Sequence, residues 1–264
     1  MELTNARILL TGATGGLGQA LARNLAERGA DLLLAGRDAD RLAACVSGIG
    51  GTGRTALSLR ADLNLAEDIA KTAEAARAFG VNVLINNAGI NAFSLYENQD
   101  WRTVEKIMAT NLLAPMQLTS ALLPWLKSCD RAAIVNIGST FGSLPFPGFS
   151  AYSSAKAGLR GFSQSLRREL ADSHVEVVHV SPRAIATALN SDAVNALNRD
   201  LGSHSDSPEV AARQIVAALQ GGRGESHLGF PECLFAWLNG CAPALIDQAL
   251  KAKLAVVKRH AAHA

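Results

Sequence analysis

The sequence carries little net charge and few residues arranged to hold a metal or a cross-link. Its 264 residues have a formal net charge of only +2, so no electrostatic argument favours a nucleic acid as partner. The four cysteines form no C-x-x-C pair, and the six histidines show no zinc-ligand spacing. We therefore expect no metal site, and reduced thiols in a cytoplasmic compartment.

Long hydrophobic runs are also missing. No run of about 18 apolar residues occurs, so no membrane-spanning helix is expected. The apolar run before Thr11 is short and follows no basic segment, which indicates a first strand rather than a signal peptide. Apolar residues nevertheless make up 48% of the chain, which is ample for the core of one large α/β domain.

The N-terminal segment has the order strand, glycine turn, helix. Residues 8–10 are apolar, the turn T-G-A-T-G-G-L-G occupies residues 11–18, and Leu17, Leu21 and Leu25 recur at helical spacing. Glycines let the backbone approach a pyrophosphate, whose charge meets the positive end of the helix. This order of elements predicts a dinucleotide site.

A second group of residues suggests acid–base chemistry. The apolar run 132–137 predicts a buried strand that ends just before Ser139, and Tyr152 and Lys156 lie one helical turn apart on one face. A phenol ordinarily has a pKa of about 10, and a nearby ammonium lowers that pKa toward neutrality. These residues are therefore candidates for proton transfer to or from a substrate oxygen that the Ser139 hydroxyl holds.

Together these motifs resemble the short-chain dehydrogenase/reductase (SDR) family over roughly residues 5–220. The turn has the family form T-G-x-x-x-G-x-G, N-N-A-G follows at residues 86–89, and the Ser, Tyr and Lys have the family spacing. The resemblance implies a Rossmann-like, doubly wound, mostly parallel sheet of about seven strands, which strand–helix alternation predicts independently. It also implies that Tyr152 exchanges the proton, Lys156 lowers its pKa and holds the ribose, and Ser139 orients the substrate oxygen.

Further site residues follow from the same resemblance. Asn111 lies on a long helix that begins at Asp100. Pro115, four residues later, has no N–H to bond the Asn111 carbonyl, so that carbonyl can hold a water of the family's proton relay. A buried Asn at a proline kink is the alternative. The implied cofactor-binding residues are Gly12, Thr14, Gly15, Gly16, Leu17, Gly18, Arg37, Asp62, Leu63, Asn87, Ala88, Gly89, Tyr152, Lys156, Ile185 and Thr187.

Two departures within the family pattern affect the expectations. Gly36 stands where NAD-preferring members carry an acid, and Arg37 follows it. An acid binds the ribose 2′-hydroxyl and an arginine accommodates a 2′-phosphate, so NADP(H) is favoured over NAD(H); a solvated loop arginine is the alternative. Asp38 is expected to cap the next helix. Arg183 replaces the glycine of the family motif P-G-x-x-x-T, which leaves the local backbone angle and the contacts on the nicotinamide side open.

Beyond Gly221 the resemblance fades. We expect residues 1–230 to form the SDR catalytic domain, with a mobile lid at 188–206, and residues 231–264 to form a C-terminal helical extension. Its large apolar residues are expected to pack on protein or to line the substrate pocket, although its basic end also allows contact with a membrane surface. These residues are Phe230, Leu234, Phe235, Trp237, Leu238, Leu245, Ile246 and Leu250.

The expected activity is NADP(H)-dependent reduction of a carbonyl in a ketone, aldehyde or oxoacyl group, or oxidation of the matching alcohol. The substrate is expected to be a small hydrophobic molecule, and the enzyme a homodimer or homotetramer. An SDR-fold epimerase or isomerase and a non-catalytic NADP-sensing or scaffold protein are the alternatives, since fold does not settle function. A sensor has no need to keep the Ser, Tyr and Lys together.

Overall fold

A sheet of seven parallel strands forms the centre of the computed structural model, which describes residues 1–262. The strands are β1 (Arg7–Thr11), β2 (Asp31–Gly36), β3 (Ala56–Arg60), β4 (Val83–Asn86), β5 (Ala132–Ile137), β6 (Val175–Ser181) and β7 (Glu225–His227). Their order is β3-β2-β1-β4-β5-β6-β7, and every neighbouring pair is parallel. The order reverses between β1 and β4, which confirms the predicted doubly wound, Rossmann-like fold.

In the described part of the chain, ten α-helices accompany the strands. They are α1 (Gly16–Glu27), α2 (Ala39–Ser47), α3 (Ala66–Phe79), α4 (Trp101–Met108), α5 (Ala114–Leu126), α6 (Ser150–Glu169), α7 (Asp192–Asp200), α8 (Pro208–Gln220), α9 (Glu232–Cys241) and α10 (Pro243–Ala261). Leucines of α1 and α8 pack on one face of the sheet, and leucines of α5 and α6 pack on the other. Because helices cover both faces, the central strands are apolar and almost fully buried.

The helix predicted to begin at Asp100 is interrupted. A π-helical segment, Ala109–Leu113, separates α4 from α5, and the N–H of Ala114 bonds the Ala109 carbonyl five residues earlier. Pro115 has no N–H for an ordinary helical bond to residue 111, so the regular ladder cannot continue there. Trp101, the first residue of α4, is 62% exposed.

The segment predicted to be a mobile lid contains an ordered helix. Within residues 188–206, α7 places Val194 and Leu197 in an apolar cluster with Val257 of α10. His260 at the end of α10 also lies 2.8 Å from Asp200 at the end of α7. The C-terminal extension is thus docked on the lid segment, one of the arrangements that the sequence predicted.

Part of the extension is covered within one chain and part is not. Ile246 is buried, but Phe230, Trp237 and Leu245 are 73%, 65% and 58% exposed. None of these three residues belongs to the apolar cluster that holds α10, so the prediction that they pack across a subunit interface stays a prediction. No helix among residues 1–262 is long and apolar enough to cross a membrane.

Candidate active site

One cavity of about 870 Å³ lies at the carboxyl ends of the central strands, where Rossmann-like folds place their ligands. The glycine turn after β1 forms one side, and Ser139, Tyr152 and Lys156 lie in the same cavity. All of the predicted cofactor-binding residues line it as well. Residues that are up to about 175 positions apart in the sequence are therefore brought to one site.

The glycine turn is held against the end of β4. Gly12 has a φ of +64°, and a Cβ added there would lie 2.6 Å from the Ala88 Cα. Asn87 Nδ2 donates to the carbonyls of Thr11 and Gly12 at 3.0 and 3.2 Å, and the backbone N–H of Ala88 donates to Thr11 Oγ1 at 3.1 Å. These contacts require glycine at position 12 and fix the turn beside the N-N-A-G segment.

The first helix points its positive end at this cavity. α1 begins at Gly16, and within residues 1–262 no side chain caps its N-terminus and no acid occupies its first turn. A Cβ added to Gly16 would lie 2.9 Å from Thr187 Cγ2, so the loop after β6 closes directly over the turn. Uncapped N–H groups and a close, side-chain-free backbone fit the pyrophosphate of a dinucleotide.

Two arginines, both from the segment that follows β2, line one end of the cavity. Arg37 is exposed on the cavity wall, and Arg41, in the first turn of α2, donates from Nη2 to the Thr14 carbonyl at 2.7 Å. Sequence reasoning missed Arg41; because Arg37 precedes α2, helical spacing does not link the two arginines. A Cβ added to Gly36 would lie 3.2 Å from Thr14 Cγ2, so a carboxylate side chain at position 36 would crowd the turn.

Asp38 and Asp62 both shape the chain at this end. The Asp38 carboxylate accepts a hydrogen bond from the Arg41 N–H at 3.0 Å and caps α2, as predicted. Asp62 lines the cavity, and its Oδ1 accepts bonds from the backbone and side chain of Asn64, both at 3.0 Å. Asp62 therefore forms the turn while remaining on the cavity wall.

The Tyr152–Lys156 pair lies on the first two turns of α6. The Lys156 Nζ lies 5.8 Å from the centroid of the Tyr152 ring and donates to the Ile137 carbonyl at 2.8 Å. Lys156 is only 4% exposed, and its burial lowers the pKa of the ammonium to about 8. The buried ammonium is thus fixed at the end of β5, beside the phenol.

The pKa of Tyr152 differs from the expectation. Burial raises the pKa of the phenol above its ordinary value, and a hydrogen bond with Ser139 opposes that rise only in part. The protein groups described here therefore keep Tyr152 protonated, which suits donation of a proton. The expectation that Lys156 lowers this pKa is therefore wrong: burial raises it, and the group that opposes the rise is Ser139.

Asn111 does not line the cavity. It is fully buried, its Oδ1 accepts from the Ile90 N–H at 2.9 Å, and its Nδ2 donates to the Ile90 carbonyl at 2.7 Å. A Cβ added to Gly89 would lie 3.1 Å from Asn111 Oδ1 and 3.7 Å from Lys156 Nζ. Asn111 therefore lies behind the wall, on the side of Gly89 that faces Lys156.

Arg183 joins three segments around the cavity. Its guanidinium donates two bonds to Asp206, at 2.9 and 2.6 Å, and one to the Phe230 carbonyl at 3.4 Å. Glu232 at the start of α9 lies 3.7 Å from Nη1. Arg183 keeps an ordinary negative φ, while Gly229, over which its side chain lies, has a φ of +91°. The backbone angle at Arg183, which the sequence left open, is therefore not left-handed.

Most residues that line the part of the cavity beyond Tyr152 are apolar, although Asn198, His204, Glu232 and Lys253 also line the cavity there. Phe141 and Phe149 pack edge-on to the Tyr152 ring, each with centroids 6.4 Å apart. Helices α7 and α10 complete this wall, as expected for a C-terminal extension that lines the pocket. The apolar lining residues are Phe141, Leu144, Phe146, Phe149, Val194, Leu197, Leu201, Phe235, Ile246 and Leu250.

Comparison with known proteins decides the family. The short chain dehydrogenase family model matches residues 6–198, nearly three quarters of the chain. The chain belongs to the short-chain dehydrogenase family. As a member of that family it is an oxidoreductase, and the glycine turn, the serine and the Tyr–Lys pair described above lie within the matched region.

Individual relatives agree with this assignment. The 3-oxoacyl-[acyl-carrier-protein] reductase of Bos taurus is 34% identical over 209 residues, which are 77% of this chain and 87% of that protein. A short chain dehydrogenase of Burkholderia cenocepacia J2315, solved in complex with NADP, has a TM-score of 0.81 and 27% identity, covering 95% and 99% of the two chains. A Burkholderia phymatum short chain dehydrogenase/reductase in complex with NAD has a TM-score of 0.83 at 22% identity, covering 93% and 96%, and shares the fold.

Proposed function

We propose that this short-chain dehydrogenase reduces a carbonyl group with NADPH, or oxidises the matching alcohol with NADP⁺. One observation carries the proposal: Ser139, Tyr152 and Lys156 share a single cavity with the uncapped, glycine-rich start of α1. The first three groups suit proton transfer at an oxygen, and the helix start suits a dinucleotide. The reductase name of the bovine relative supports the same class of reaction.

The residues present fit a bound NADP(H). The glycine turn and the start of α1 would hold the pyrophosphate, Asp62 and Leu63 the adenine, and Lys156 the nicotinamide ribose. Ile185 and Thr187 would lie at the nicotinamide end. When bound, the cofactor supplies or accepts the hydride at the substrate carbon.

The chain's own groups handle the proton. The Ser139 hydroxyl holds the substrate oxygen, and the Tyr152 phenol donates its proton to that oxygen during reduction. The Lys156 ammonium, fixed by the Ile137 carbonyl at 2.8 Å, stabilises the phenolate that remains. Asn111 would hold a relay water through its backbone carbonyl, which Pro115 cannot bond.

The preference for NADP(H) over NAD(H) rests on charge. Arg37 and Arg41 present two cations where a 2′-phosphate would lie, and Gly36 presents no opposing carboxylate. The Burkholderia cenocepacia structure, which contains NADP, supports this preference. The substrate is proposed to be hydrophobic, because the wall beyond Tyr152 is built mostly from aromatic and aliphatic side chains.

Three coarser expectations accompany this proposal. The division into residues 1–230 and 231–264 is kept, with α10 as a pocket wall docked on α7. A homodimer or homotetramer is proposed, which would also cover the exposed Phe230 and Trp237. A cytoplasmic location is supported by four free cysteines.

The decisive experiment follows NADPH oxidation by absorbance over a panel of ketones, aldehydes and oxoacyl thioesters. Tyr152→Phe keeps the aromatic ring and removes the proton donor, so turnover should fall by at least the roughly 10²–10⁴-fold of one acid–base group. The NADPH dissociation constant, measured by fluorescence titration, should change little. Normal turnover of this variant would overturn the mechanism.

The same assay separates the alternative functions. An epimerase or isomerase would convert substrate without net NADPH consumption, which chromatography of the products detects. A sensor or scaffold protein would bind NADPH in the titration and turn over no substrate. Tyr152→Phe would then leave the measured binding unchanged without any activity to lose.

A further inference from the structure

A row of polar side chains crosses the buried centre of the sheet, outside the site described above. Asn86 on β4, Asn136 on β5 and His179 on β6 are register partners, and each is at most 3% exposed. Asn86 Nδ2 donates to Asn136 Oδ1 at 2.8 Å, and Asn136 Nδ2 donates to Ser163 Oγ on α6 at 2.9 Å. His179 ends the row between Ser163 and Ser181.

The hydrogen bonds assign the tautomer of His179. Ser163 Oγ donates its single proton to the Leu159 carbonyl at 2.7 Å, so toward His179 Nδ1, 3.1 Å away, it must accept. Nδ1 therefore carries the proton, and Nε2 accepts from Ser181 Oγ at 3.2 Å. Burial lowers the pKa of His179 to about 3, in keeping with a neutral ring.

The His179 ring occupies the space that a side chain would need at position 138. A Cβ added to Gly138 would lie 2.7 Å from His179 Cε1, closer still to Nε2, and 3.0 Å from Ser181 Oγ. The Gly138 N–H donates to the Val180 carbonyl at 2.7 Å, which holds this backbone against β6. The His179 ring therefore packs directly against the Gly138 backbone.

Gly138 lies between Ile137 and Ser139, the two residues that hydrogen-bond the acid–base pair. The carbonyl of Ile137 before it accepts the Lys156 ammonium at 2.8 Å, and Ser139 after it makes the hydrogen bond with Tyr152. A shift of this short segment would therefore move both contacts at once. The His179 ring, locked at both nitrogens, is the side chain that supports the segment from behind.

We propose that His179 is a positioning residue for the Tyr152–Lys156 pair and acts through Gly138. Its doubly hydrogen-bonded ring fills the side-chain space at Gly138 and so sets where the Ile137 carbonyl and the Ser139 hydroxyl lie. This inference rests on the proposed carbonyl reduction. It assigns to a buried histidine, which never touches substrate, control over the geometry of the proton transfer.

The test compares His179→Ala, Gly138→Ala and the double variant, all as full-length enzyme. Each single change should lower kcat by about 10- to 100-fold, the scale of a misplacement near 1 Å. The double variant should recover most of this loss, because the methyl group at position 138 then meets no ring and takes up the part of the vacated space that lies against the backbone. Val178→Ala is the matched control, since Val178 lies next to His179 but packs on the opposite face of the sheet.

A pH profile of kcat provides a readout that loss of core packing alone would not move. The charged groups around the ring are Lys156 and Arg160 of α6, together with Glu225 and His227 of β7. If His179→Ala displaces the Ile137 carbonyl, the Lys156 ammonium loses its acceptor and its pKa falls. The basic limb of the profile should then move to lower pH, while Val178→Ala leaves it in place.

The outcomes are distinguishable. If the wild-type enzyme turns over no carbonyl in the panel, the proposed function fails and this inference fails with it. If the wild-type enzyme is active but His179→Ala keeps its kcat, only the positioning role is refuted. If His179→Ala and Val178→Ala lose stability and kcat in equal proportion, with no pH shift and no recovery in the double variant, the histidine is a packing residue only.

Discussion

Arg183→Ala should loosen the joint between the loop after β6, the end of the lid segment and the C-terminal extension. The change removes two charge-assisted bonds to Asp206, at 2.9 and 2.6 Å, and leaves that carboxylate, whose side chain is 11% exposed, without its guanidinium. A fully buried pair broken in this way costs about 3–5 kcal/mol and an exposed pair less than about 1 kcal/mol. For this largely buried pair we expect about 2–3 kcal/mol.

This loss should be visible in thermal unfolding. For a domain of this size a change of 1 kcal/mol shifts Tm by roughly 2–4 °C, so Tm should fall by about 5–10 °C. The KM for NADPH should rise as well, because Ile185 and Thr187, which line the cavity and are proposed to contact the cofactor, lie two and four residues after Arg183. Scanning calorimetry and initial-rate kinetics measure the two effects.

Two further variants test whether the loss comes from the Arg183–Asp206 ion pair. Arg183→Ala/Asp206→Ala should be more stable than the sum of the single losses implies, by about 1 kcal/mol or more, because neither charge is then left alone. Arg23→Ala is the control, since Arg23 and Glu209 form a pair whose side chains are 47% and 54% exposed. A Tm of Arg183→Ala within 1 °C of wild type, as for Arg23→Ala, would refute the reasoning.

Three further predictions concern the cofactor, the buried lysine and the substrate wall. Arg37→Ala and Arg41→Ala should each weaken NADPH binding by about 1.5–3 kcal/mol in a titration and leave NADH binding nearly unchanged. Equal losses of binding for both cofactors would contradict the 2′-phosphate role. Folding lowers the pKa of Lys156 from 10.5 to about 8. Between these two pH values Lys156 is therefore protonated in the unfolded chain and largely neutral in the folded chain. The free energy of unfolding of wild type relative to Lys156→Met should therefore increase by about 2 kcal/mol between pH 7.5 and 9.5 in urea titrations, and a constant difference would contradict this. Leu250→Trp should lower kcat/KM for bulky substrates much more than for small ones, while Leu245→Trp, at an exposed position of the same helix, should not; a uniform loss would count against α10 as a pocket wall.

Local patterns made much of the fold and the site predictable. The strand 132–137 was predicted with its observed limits because five of its six residues are apolar, and the turn at residues 11–18 is a contiguous motif. The Tyr152–Lys156 pair was predictable because helical spacing alone places both on one face. Each of these features depends on neighbours within about ten positions.

The electrostatic state of the pair was less predictable. From spacing, the ammonium of Lys156 is expected to lower the pKa of Tyr152, yet burial raises it. Desolvation depends on everything that surrounds the ring, including Phe141 and Phe149, and that environment exists only after folding. The interruption of the helix near Asn111 was predictable from Pro115. The hydrogen bonds between Asn111 and Ile90 were not predictable from the sequence.

The sequence by itself determined the doubly wound sheet, the glycine turn for a dinucleotide and the Ser–Tyr–Lys group, because periodicity and short motifs encode them. Only the tertiary structure decided what lies around them. It brought Arg183 to Asp206 and Glu232, closed the apolar wall with α10, and set His179 against Gly138. These contacts join segments that are from about twenty to about a hundred positions apart, and packing between distant elements leaves no periodic or local signal in the chain.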